Sequence, residues 1–145
     1  MKKILFNLVL LTICLTGLAI TTKAALINIY AYGKYEIYDP EYSGITYDVY
    51  AYIQVVGSST LYPCSVPGNP FAQGKYEGIE YDSGDLYFYN IPEPEPPQPM
   101  YPYRVWLRAV RNSPYSGEAW RASDWAGQYG LQPWAPSPIT IEFSD

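Results

Sequence analysis

Residues 45–56, ITYDVYAYIQVV, alternate between two sets of side chains for twelve positions, a period that only an extended strand turns into one dry face. Successive side chains of a strand point to opposite sides of a sheet. Ile45, Tyr47, Val49, Ala51, Ile53 and Val55 therefore share one face, and Thr46, Asp48, Tyr50, Tyr52 and Gln54 share the other. The same period returns at 103–111. There Tyr103, Val105, Leu107 and Ala109 fall inward, and Arg104, Trp106 and Arg108 fall outward. Two half-buried strands of this kind require a second layer to cover their apolar sides.

The remaining chain supplies one. LINIYAY at 26–32 places Ile27, Ile29 and Ala31 together, and ITIEF at 139–143 places Ile139, Ile141 and Phe143 together. KYEIY continues the first run until turns at Asp39-Pro40 and Ser43-Gly44. Residues 60–74 hold Pro63, Pro67, Gly68, Pro70 and Gly74, which predicts loop with a short edge strand at 60–62. Runs at 75–81 and 86–91, joined by Asp82-Ser83-Gly84, read as a hairpin. Prolines 92, 94, 96, 97, 99 and 102 cannot donate to a sheet ladder and favour a stiff extended connection. Residues 112–137 read as irregular, with about two helical turns in SGEAWRASDW and Ser116 as N-cap. The expected fold is all-β: an antiparallel Ig-like β-sandwich of about seven strands, in one domain spanning 25–145.

Residues 1–24 carry a different message. Lys2 and Lys3 precede a largely apolar stretch, Ile4 to Ile20, and Thr22-Lys23-Ala24 ends in a small residue. That order is a signal peptide cleaved before Ala25, preferred over an anchoring helix because no basic stop-transfer cluster follows. Lipidation at Cys14 is disfavoured by Ile13 before it. After cleavage, fourteen acids face six bases, a net charge of −8. Such a chain is a poor partner for nucleic acid or an anionic membrane surface, which both need basic stripes. The expected location is outside the cytoplasm: periplasm, cell surface or medium. The remaining cysteine, Cys64, has no partner within the chain, so it is either a small buried hydrophobe or a link to another molecule.

The C-terminal half resembles a fibronectin type III domain. Ile91-Pro92 stands where that family turns a corner between strands, and Tyr103, Val105, Leu107, Ala109 and Asn112 match the following Tyr-x-Val-x-Val-x-Ala strand and its exit. PSPITIEF is similar to the family's last strand. The resemblance implies that Tyr103 is a tyrosine corner, its hydroxyl reaching upstream backbone. The early-strand Trp of the family is missing here. YDSGDLYFYNIP is also similar to the prealbumin-like sandwiches of surface and regulatory domains. Both resemblances imply an Ig-like sandwich used for binding or spacing, and neither specifies an active site or a ligand.

The chain contains no histidine, which removes the commonest general base and metal ligand. Cys64 consequently lacks an imidazole to activate it. No cofactor is expected. Acids cluster at the turn holding Glu80, Asp82 and Asp85, where Asp82 and Asp85 are weak calcium candidates, but the spacing is not that of an EF-hand. The conspicuous feature is aromatic: seventeen Tyr and four Trp. If 45–56 and 103–111 are neighbours, Tyr50, Tyr52 and Trp106 form an outward stripe flanked by Arg104 and Arg108, with Trp120 and Trp125 available from the following segment. Such rings suit stacking on sugars or a protein interface, and they also stabilise a sheet with no ligand at all. The expected function is non-enzymatic binding, adhesion or assembly, with a protein or glycan partner at the cell surface. A carbohydrate-binding module is the first alternative, and a small hydrolase using two carboxylates is the second.

Overall fold

The computed structural model describes residues 25–64, 72–75, 80–93, 103–125, 131–133 and 138–144. The expected signal peptide, most of the proline-rich stretch and Trp134 lie outside the described residues. Among those described there is no helix, and the strands form a mainly antiparallel two-layered sandwich. One layer is built on β1 (Leu26–Tyr32) and β2 (Lys34–Tyr38), a single path broken at Gly33. β6 (Tyr81–Asp82) and β7 (Leu86–Pro92) run antiparallel along one side of it. β10 (Leu131–Pro133) and β11 (Ile139–Glu142) run parallel along the other. The second layer is β3 (Thr46–Val55), bordered by β8 (Tyr103–Arg111) and then β9 (Glu118–Ala122). β4 (Tyr62–Pro63) and β5 (Ala72–Lys75) pair with the far side of β3.

The core follows the alternation. Tyr47, Val49, Ala51, Ile53 and Val55 are buried from β3, and Tyr103, Val105, Leu107 and Ala109 from β8. Ile29, Ala31, Tyr35, Ile37, Leu86, Phe88, Ile91, Ile139 and Ile141 meet them from the other layer. The phase changes within β7, where Leu86 and Phe88 point inward but Asn90 does not. The register against β1 shifts between Ile27 and Ile29, and Asn90 takes a left-handed φ of 58°. This bulge inserts one residue and re-aims Ile91 into the core. Asparagine tolerates that conformation better than most side chains.

Four sequence expectations are corrected. Among the described residues of 75–91 no hairpin forms: β5 joins β3, while β6 and β7 join β2 and β1. A Gly33–Ser83 backbone bond of 2.9 Å ties the turn to the break between β1 and β2. SGEAWRASDW is not helical: Glu118–Ala122 pairs with β8 across five positions. Ala119 is buried between exposed Glu118 and Trp120, and Arg121, on the same phase as Ala119, is exposed. The pairing is not antiparallel throughout: β11 runs parallel to β2 and β10 parallel to β1. The Tyr103 hydroxyl makes no tyrosine corner: it is sealed inside, 2% exposed, without a hydrogen-bond partner among the described residues.

A buried ion pair joins the layers at one end. Asp39, 1% exposed, follows β2, and Arg111 closes β8 on the inward phase. The Arg111 fork donates from Nε to Oδ2 at 2.8 Å and from Nη2 to Oδ1 at 3.0 Å. The Tyr47 hydroxyl donates to Oδ2 at 2.9 Å, and the backbone N–H groups of Glu41 and Tyr42 donate to Oδ1. Arg111 also reaches Glu41 at 3.0 Å and lies between the rings of Tyr42 and Phe143. Gly117 accommodates this arginine: its φ is +122°, and a Cβ there would meet Arg111 Nη1 at 3.0 Å. Burial pushes the Asp39 carboxyl upward, but the Arg111 fork, the Tyr47 hydroxyl and the two backbone donors outweigh it and hold it below its ordinary value.

Two predictions follow from these buried groups. The folded Asp39 binds its proton less readily than the unfolded chain, so its contribution is complete at neutral pH. It is lost as pH falls below about 4 and through the lowered folded value. Asp39→Asn should cost about 3 kcal/mol at pH 7, because a buried arginine loses its main counter-charge. Urea unfolding at pH 7 and pH 3 should show a smaller acid loss in the variant than in the wild type; equal losses would contradict the assignment. Tyr103→Phe should raise stability by about 1 kcal/mol, since it deletes a buried hydroxyl that pairs with nothing described. A loss of similar size would mean the hydroxyl is satisfied.

Candidate functional site

The outward positions of β3, β8 and β9 form a grid, because even-numbered residues oppose even-numbered residues in both pairings. Tyr50 faces Arg108, which faces Trp120. Tyr52 faces Trp106, which faces Ala122. Gln54 faces Arg104, whose guanidinium lies over the ring of Trp125, just past β9. All seven residues singled out from the sequence, Tyr50, Tyr52, Arg104, Trp106, Arg108, Trp120 and Trp125, thus meet on one face. β3 is distant in the chain from the other two segments, which follow each other closely.

The arginines do not flank the rings but lie between them. The Arg104 guanidinium carbon is 4.7 Å from the Trp106 ring centre and 4.7 Å from that of Trp125. Arg108 is 5.5 Å from both Tyr50 and Trp120. Tyr52 reaches diagonally to Trp120, ring centres 5.3 Å apart. Stacking of this kind immobilises long side chains and adds cation–π attraction. Trp120 and Trp125 are the most open members, 39% and 45% exposed; Tyr50, Tyr52, Arg104, Trp106 and Arg108 are half-buried.

Polar contacts fix the grid further. Gln54 Oε1 accepts from Arg104 Nε and Trp106 Nε1, both at 2.8 Å, and Gln54 Nε2 donates to the Ser58 carbonyl at 2.7 Å. Arg108 Nε donates to Glu118 at 2.8 Å, and Trp120 Nε1 donates to the same carboxylate at 3.0 Å. The Trp120 indole N–H and then Arg108 hold the Glu118 carboxyl below its ordinary value, and the bond to Glu118 raises that of Arg108. Arg104 is different. Its Nε is used by Gln54, but among the described residues no carboxylate pairs with it and no acceptor meets its Nη atoms.

The other candidates disperse. Glu80 pairs with Lys34, and Asp85 accepts only a long 3.4 Å bond from the Tyr87 hydroxyl. Asp82 lies exposed on β6, and no three acids or cysteines converge among the described residues. Cys64 is half-buried rather than buried, with Sγ 3.5 Å from the Tyr87 carbonyl. Glu36 and Glu142 line one cavity of about 320 Å³ on the outer side of β2 and β11, where Glu36 accepts from the Thr140 hydroxyl. A second aromatic patch, Tyr30, Tyr87 and Tyr89, lies on the outer side of β1 and β7.

Sequence reasoning missed the Asp39–Arg111–Tyr47 cluster. Its signal was parity: Arg111 continues the inward set of β8, and a charge on that phase requires a buried counter-charge. Comparison with protein-family models, curated proteins and solved structures returned no match.

Proposed function

We propose that this protein is an exported, non-enzymatic binding module that engages a protein or glycan partner at the cell surface through the outer face of β3, β8 and β9. The observation that carries this reading is the convergence of five rings and two arginines on one flat surface, with Trp120 and Trp125 its most exposed members. Rings already locked by neighbours lose little freedom when a ligand covers them, which favours tight contact. Export rests on the pattern of residues 1–24. The Ig-like reading is supported by strand order. β3-β8-β9 corresponds to the C-F-G side of such a sandwich, and the β1–β7 pair in the opposite layer corresponds to B and E. On that correspondence Ile91-Pro92 and Tyr103 bracket the crossing from one layer to the other, as in the fibronectin type III resemblance.

A hydrolase is the weaker reading. Among the described residues Glu36 and Glu142 share one hollow, on the opposite layer from the aromatic grid.

The test is a Trp120→Ala, Trp125→Ala double variant, compared with wild type on a glycan array and on immobilised cell-envelope fractions. Both side chains are exposed, so the fold should survive, as checked by thermal unfolding. The expected result is a drop in retention of about tenfold or more, the size of a lost hot spot. Unchanged retention by a folded double variant would place binding elsewhere.

A further inference from the structure

The binding face contains one cation whose charge nothing described neutralises. Arg108 is matched by Glu118 and Arg111 by Asp39 and Glu41, whereas Arg104 lies over the rings of Trp106 and Trp125 and meets a neutral amide at Nε. A guanidinium held in this way keeps its orientation but has only its outer edge left for hydrogen bonding. That edge carries the Nη donors, in the fork geometry that matches a carboxylate bidentately.

The surroundings narrow the ligand. On β9 the residue between Trp120 and Trp125 that faces the same way is Ala122, directly opposite Trp106. This small side chain leaves room between the two exposed indoles, Trp125 being the one next to Arg104. Flat, partly apolar rings with polar edges fit such a surface, which is how a pyranose would lie. The sheet face offers side chains and not free backbone donors, so an extended peptide would lack the main-chain bonds that give strand addition its affinity. Net charge sets a further limit. At −8 after cleavage, the protein repels a dense polyanion at long range, so the acid groups must be sparse.

We infer that the outer face of β3, β8 and β9 binds a sparsely acidic glycan, one uronic acid among neutral sugars, with the carboxylate on the Arg104 fork and sugar faces on the exposed rings of Trp120 and Trp125. This rests on the binding reading above and adds the ligand class.

The experiment uses calorimetric titration of the mature chain with a neutral-hexose oligosaccharide bearing a single uronic acid, and with its carboxyl-reduced counterpart. Wild type should prefer the acid form by about tenfold. Arg104→Gln should abolish that preference while still binding the neutral form, and Arg104→Lys should restore only part of it, because an ammonium lacks the fork. Trp125→Ala should weaken both forms alike. A homopolymer of uronic acid at low salt should bind less tightly per site than the mixed oligosaccharide. Equal affinity of wild type for the two forms, or an acid preference surviving in Arg104→Gln, overturns the inference. So does an acidic peptide that binds as tightly as the oligosaccharide. Binding of neither sugar also overturns it, yet leaves the binding face to the separate test of Trp120 and Trp125 on envelope fractions.

Discussion

The pairing of β3 with β8 decides both what is buried and what is shown. Nine consecutive residues oppose each other, from Tyr47 with Arg111 to Val55 with Tyr103, and odd numbers always meet odd numbers. A slip of one residue would send every ring of the outer face into the core and every valine into water. The register is fixed because the inner set is almost wholly apolar and the opposite layer covers it. β9 then inherits the same parity from β8, which is why Trp120 joins Tyr50 and Tyr52 although it lies about seventy residues later in the chain.

The two faces treat arginine in opposite ways. Inside, Arg111 is nearly dry, 9% exposed, and it is tolerated only because Asp39 is fixed by five donors, the two Arg111 bonds included. Outside, Arg104 and Arg108 use aromatic faces to hold still and leave their edges for polar contacts. A sheet rich in exposed rings would otherwise invite non-specific association. Interleaved cations break the rings into separated patches and give the surface direction.

Much of this was legible from alternation alone. The inward and outward sets of the strands at 46–55 and 103–111 are those the sequence predicts, and with them the outward placement of Tyr50, Tyr52, Arg104, Trp106 and Arg108; Trp120 and Trp125 came from a segment whose strand the sequence did not show. The failures share a cause. The helix expected at 116–125 came from a Ser cap and good helix formers, but Glu118–Ala122 has an open strand beside it, and ladder pairing overrides weak propensity. The expected hairpin at 75–91 had the right turn residues, yet local turn chemistry does not say which strand a neighbour joins. Parallel pairing of β2 with β11 depends on residues about a hundred positions apart, and no local pattern encodes that. The bulge at Asn90 was hidden because LYFYN alternates until the inserted residue, and only the burial of Ile91 reveals the change of phase.

The division of odd and even side chains between a dry interior and an open face can be read directly by hydroxyl-radical footprinting of the intact chain, with oxidation mapped by mass spectrometry. The account predicts heavy labelling of Trp120 and Trp125, and protection of Tyr35, Tyr47 and Phe88. Labelled Tyr47 and Phe88 alongside protected Trp120 and Trp125 would show the faces reversed and remove the basis for the binding surface.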